Sequence, residues 1–237
     1  AGKPELQVAA AQVLGEPRAR EPSAVRALSA AVRRSNVLGR FAIDALAKIG
    51  TQEALHTIVA EFLDNEVLSE HAGQLLAEAR DAAHRVLEDA YNSASCDQRV
   101  RLLTILARSL GKDSIAVFVH ALLTPELTAT AGHLLLGAAD QFQPALQKLL
   151  REGLGKHLEG PLPEVCLAQV ITVLARVDNA ASRATFVRFT APAAPALVRS
   201  AAFRALRGSK LSATQVKGMM DLLEDAVVVR RCLDRLE

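Results

Sequence analysis

An apolar stripe at helical spacing returns along the whole chain, about once every thirty residues. Positions i, i+3, i+4 and i+7 of a helix lie on one face. Stripes of that kind begin at Val25 (with Leu28, Ser29 and Val32), Leu55 (Ile58, Val59, Phe62), Ala83 (Val86, Leu87, Ala90) and Ile115 (Phe118, Val119, Leu122). They continue from Leu146 (Leu149, Leu150), Arg183 (Phe186, Val187) and Val216 (Met219, Met220, Leu223), so the intervals run from 28 to 37 residues. A sustained but uneven period predicts one supersecondary unit stacked on its own copies, with turns of varying length.

Between the stripes lie Ala-rich segments, often opened by Pro or closed by Gly. They run Pro4 to Leu14 before Gly15, about Asn36 to Ile49 before Gly50, then about Leu68 to Ala79, Asp97 to Leu110, Pro125 to Ala139, Pro163 to Val177 and Pro195 to Leu206. Proline is tolerated in a first helical turn, where its missing N–H has no partner to lose. Three starts read Pro4-Glu5-Leu6, Pro125-Glu126-Leu127 and Pro163-Glu164-Val165, placing a carboxylate at the positive end of the helix dipole. Ser212-Ala213-Thr214-Gln215 fits a capping box before the last stripe. In the central stretch Arg99 to Leu123, Val100, Leu103, Ala107 and Leu110 form one stripe and Ile115 to Leu122 the next. Gly111 is expected to end the first helix in the left-handed conformation and the Asp113 carboxylate to cap the second. Leu106 is expected in the packed core.

The residues Val198-Arg199-Ser200-Ala201-Ala202-Phe203-Arg204-Ala205-Leu206, Phe41-Ala42-Ile43-Asp44-Ala45-Leu46 and Pro4 to Gly15 resemble the second helix of HEAT repeats, in the short bacterial HEAT-like form named after phycobilisome lyases. His71 to Ala79 and Thr130 to Ala139 depart from that pattern in lacking the Val-Arg pair. The resemblance implies an all-α fold, a right-handed α-α superhelix (α-solenoid) of about seven HEAT-like helical hairpins, with first helices convex and second helices concave. It covers residues 1–237 as a single solenoid, with a lengthened turn near 159–163 as its expected bend. Neither end carries the polar cap that solenoid termini normally have, so a segment of a longer protein, or an end-to-end assembly, is expected.

Chemistry is sparse. His56, His71, His84, His120, His133 and His157 are scattered through helical segments, and Glu70-His71 lacks a second ligand at i+4. Gly153-Leu154-Gly155 has no third glycine and no preceding strand. Cys96, Cys166 and Cys232 are far apart and read as small core residues, which favours a reducing, cytoplasmic setting. The sequence therefore predicts no enzyme, cofactor or metal site, and no apolar run long enough to span a membrane.

Charge is unevenly distributed although the formal net charge is only +2. Residues 51–97 hold ten acids against Arg80 and Arg85, and Glu61, Asp64, Glu66, Glu70 and Glu78 form a candidate acidic patch. Residues 176–210 reverse the sign: Arg183, Arg188, Arg199, Arg204, Arg207 and Lys210 form a candidate basic patch. Such patches steer partners or pair between copies, though they also serve simply to keep helix faces solvated. The expectation is a protein-interaction scaffold or assembly subunit whose partners include copies of itself. Nucleic-acid binding of the kind known in HEAT-like DNA glycosylases is the alternative, with Arg204, Arg207 and Lys210 as phosphate contacts. It is weakened by the absence of Trp and the single Tyr91 for stacking bases. A lyase-type enzyme rests on fold analogy alone.

Overall fold

The computed structural model describes residues 4–16, 21–158 and 160–207, and positions 213, 216, 217 and 220. The described residues form thirteen α-helices, one short 3₁₀ turn and no strand. The helices are α1 (Pro4–Leu14), α2 (Pro22–Val32), α3 (Asn36–Ile49), α4 (Gln52–Asp64), α5 (Glu66–Ala79), α6 (Asp81–Ser93) and α7 (Cys96–Arg108). They continue as α8 (Ser114–Leu123), α9 (Pro125–Gly137), α10 (Pro144–Gly155), α11 (Glu164–Val177), α12 (Asn179–Arg188) and α13 (Ala196–Ala205). The chain divides into two compact units, Ala1–Ser114 and Ile115–Glu237, inside the stretch whose periodicity reads as one hairpin.

Capping chemistry sets most boundaries in the first unit. Ser35 and Thr51 accept hydrogen bonds from Leu38 N and Ala54 N, opening α3 and α4. Gly50 closes α3 at φ +63°, a left-handed conformation that side chains rarely adopt, and its N–H reaches Leu46 O. A full capping box opens α7: Ser95 Oγ accepts from Gln98 N while Gln98 Oε1 accepts from Ser95 N. The box expected at Ser212 to Gln215 has Ser212, Thr214 and Gln215 outside the described residues.

The expected stop at Gly111 takes another form. Helix α7 ends at Arg108, and Gly50 is the only glycine with positive φ among the described residues. Ser114 holds the turn, its hydroxyl accepting from Gly111 N and donating to Gly111 O, each at 2.9 Å, in place of the expected Asp113 cap. A small hydroxyl can do both at once, which a carboxylate cannot.

Consecutive helices pair and the pairs stack. In the first unit α2 packs on α3, α4 on α5 and α6 on α7, while α1, α3, α5 and α7 form one row of neighbours and α2, α4 and α6 another. Helices in the first row are covered on several sides, so α3 buries Leu38, Gly39, Ala42, Ile43, Ala45, Leu46 and Ile49. The expected stripes from Val25, Leu55 and Ala83 are buried apart from Ser29 and Ala90, which are half-buried; Ser29 instead bonds Thr57 across α2 and α4 at 2.9 Å. In α7 Leu102, Ile105 and Leu106 join Leu103 and Ala107 in the core and Val100 is only half-buried, while Leu110, also half-buried, lies beyond the helix end.

In the second unit α11 is the hub, touching α9, α10, α12 and α13. Gly132 of α9 lets Gln169 of α11 lie directly over it: a Cβ there would sit 1.7 Å from Gln169 Nε2. Glu164, expected to serve its own helix, caps its neighbour, its Oε1 accepting from Leu197 N of α13 at 2.9 Å. Arg151 pairs with Asp178 at 2.5 Å and Arg176 with Asp140 at 3.1 Å. The stripe expected from Arg183 buries Phe186 but leaves Val187 exposed. Val216 and Met220 are exposed as well, and Met219 and Leu223 of that stripe lie outside the described residues.

Candidate functional site

An open groove of about 520 Å³ lies where the α2–α3 turn meets the α4–α5 turn, lined by Val32, Arg33, Ser35, Asn36, Glu61, Asp64, Asn65 and Glu66. Its construction starts at Asn65, the single residue between α4 and α5. Asn65 N–H closes α4 on Glu61 O, while its Oδ1 accepts from Val67 N and Leu68 N to open α5. Its Nδ2 then donates to Glu61 Oε2 at 3.0 Å, anchoring that carboxylate.

Arg101, reaching across from α7, locks the same turn. Its guanidinium donates to Leu63 O at 2.7 Å, to Phe62 O, and to Ser69 Oγ at 2.5 Å, and lies 4.8 Å from the Phe62 ring centroid. Ser69 Oγ in turn donates to Phe62 O at 3.0 Å. The last carbonyls of a helix have no intrahelical donor, and a cation there also meets the negative end of the dipole. Arg101 therefore fixes the wall on which Asp64 and Glu66 stand.

The groove carries more acidic than basic side chains. Glu61 is half-buried and anchored, Asp64 and Glu66 are exposed, and Arg33 alone opposes them among the lining residues. The structure thus gathers three members of the expected acidic patch. Glu70 stands exposed one turn farther along α5, and Glu78, near the helix end, accepts from Gln74 Nε2 at 3.2 Å; neither lines the groove. Arg33, Ser35, Asn36 and Asn65 are lining residues that the charge pattern does not mark. The Ser and Asn immediately before α3 and α5 are readable as caps, which was the available signal.

The basic residues are more dispersed. Arg183 and Arg188 are exposed on α12. On α13 Arg199 is half-buried, its Nε buried without a partner, whereas Arg204 is exposed and folds back on Ser200 through Nε to the carbonyl and Nη2 to Oγ. Five residues apart on a helix, the two point about 140° apart. Arg207 lies beyond α13 in the following turn, its N–H bonding Arg204 O, and Lys210 is outside the described residues.

The histidines and cysteines have individual settings. His71 of α5 pairs with Asp44 of α3 at 2.6 Å. His84 is buried, with Nε2 3.0 Å from Ser109 O and Nδ1 unpartnered. His157 lies in the turn after α10 instead of within a helix. Cys96 is exposed at the start of α7, contrary to the expected core placement; Cys166 is buried, and Cys232 is outside the described residues. Burial raises the Cys166 thiol pKa, offset in part by its bond with Thr128. Burial likewise raises that of the Tyr91 phenol, against the opposing pull of Arg99. Among the described residues no group of three or more His, Cys, Asp or Glu side chains could hold a metal ion, and no helix is long and apolar enough to cross a membrane.

Against known proteins, no family model, curated protein or solved structure matches the chain.

Proposed function

We propose that this chain is a non-catalytic interaction scaffold or assembly subunit, a right-handed α-solenoid of about seven HEAT-like hairpins that takes a cationic segment of a protein partner in the groove between the α2–α3 and α4–α5 turns. The observation that carries this reading is the convergence of Glu61, Asp64 and Glu66 on one open groove, held there by Asn65 and Arg101. Pre-set acceptors steer a cationic partner and are spared much of the ordering cost on binding. The stacked pairs α2–α3, α4–α5 and α6–α7 support the hairpin arrangement. Copies of the chain are candidate partners through residues 176–210. The nucleic-acid reading gains little from α13, where Arg204 is engaged by Ser200.

The first test is the absolute solution mass by light scattering at low and high salt, with wild type and the variant Glu61→Gln/Asp64→Asn/Glu66→Gln. Self-association that salt and the variant both abolish is the expected result for copies pairing through this groove. A monomer at both salts removes copies as the partner. A multimer indifferent to salt and to the variant overturns the role of the acidic groove.

A further inference from the structure

We draw no further inference here: the strongest candidate, the exposed apolar stripe of Leu6, Ala9, Ala10 and Val13 along α1 at the end of one row of helices, is an unpartnered face, and nothing in the structure shows what covers it.

Discussion

Removing the Arg101 guanidinium tests how the groove wall is held. In Arg101→Met the aliphatic stem and its packing remain, but Phe62 O, Leu63 O and Ser69 Oγ lose their charged donor and the Phe62 ring loses its cation. A hydrogen bond to a charged group contributes about 1.5–3 kcal/mol, yet Phe62 O keeps the Ser69 hydroxyl and Leu63 is only half-buried. The loss is therefore closer to one such bond than to three, roughly 2 kcal/mol, with about 0.5–1 kcal/mol more from the ring contact. Urea denaturation should show a midpoint lower by about 1–2 M for a slope of roughly 1.5 kcal/mol/M. Arg101→Lys should recover about half, since an ammonium cannot fork across three acceptors. Hydrogen exchange should quicken first at residues 62–69. A loss below about 0.5 kcal/mol in Arg101→Met, with unchanged exchange there, would refute the assignment of Arg101 as the lock.

Gly132→Ala should cost about 1–3 kcal/mol by overpacking and most of that should vanish in the Gln169→Ala background, a coupling that a double-mutant cycle of thermal or urea melts measures directly. Arg80, alone between α5 and α6, sits at φ 43° and ψ −121°, so Arg80→Gly should stabilise by about 1 kcal/mol; a destabilised melt would show that its side chain matters more than its backbone. Exposed Cys96 should react with a thiol reagent at once and Cys166 only on unfolding. The folded-state pKa of Cys166 is raised above its ordinary 9.0, so its contribution to stability is fully present below pH 9 and falls as pH rises through the folded value; Cys166→Ala should flatten the alkaline limb of the stability curve. Leu106→Asp, at a position 1% exposed, should cost several kcal/mol, and a wild-type melting temperature would place Leu106 outside the core.

The helices were legible because burial on one or more faces imposes a period of 3.6 on the side chains, and because proline and the small polar caps punctuate it. The helix expected from about Asn36 to Ile49 spans those residues, with Gly50 as its expected stop, while Ser35 supplies a cap that the helical period does not mark. Errors appear where a longer-range partner decides the outcome. Asp113 is a good cap in isolation, but Ser114 reaches both polar groups of Gly111. Glu164 suits its own helix, yet Leu197 N of α13 is the donor it meets. Arg101 looks like an ordinary charged position on a helix face until α4 and α7 are brought together.

Linear charge density was a poorer guide than helix periodicity for a related physical reason. Glu70 shares a face with Glu66 but stands about 6 Å farther along α5, and Glu78, three turns on, is also rotated about 120° away, so neither lines the groove although both share α5 with Glu66. Turns do the opposite: stacking one pair of helices on the next lays the α2–α3 turn beside the α4–α5 turn and gathers residues more than thirty positions apart, such as Arg33 and Glu66. The lining side chains Arg33, Asp64 and Glu66 are exposed while Leu38, Phe62 and Leu68, close by in sequence, are buried, and Val32 is both buried and lining. The charged side chains of the groove and most of the core beneath it are thus different residues of the same turns. Under the interaction reading, the groove's charge can change with little effect on packing, and the locks beneath it, Asn65 and Arg101, join stability to the shape presented to a partner.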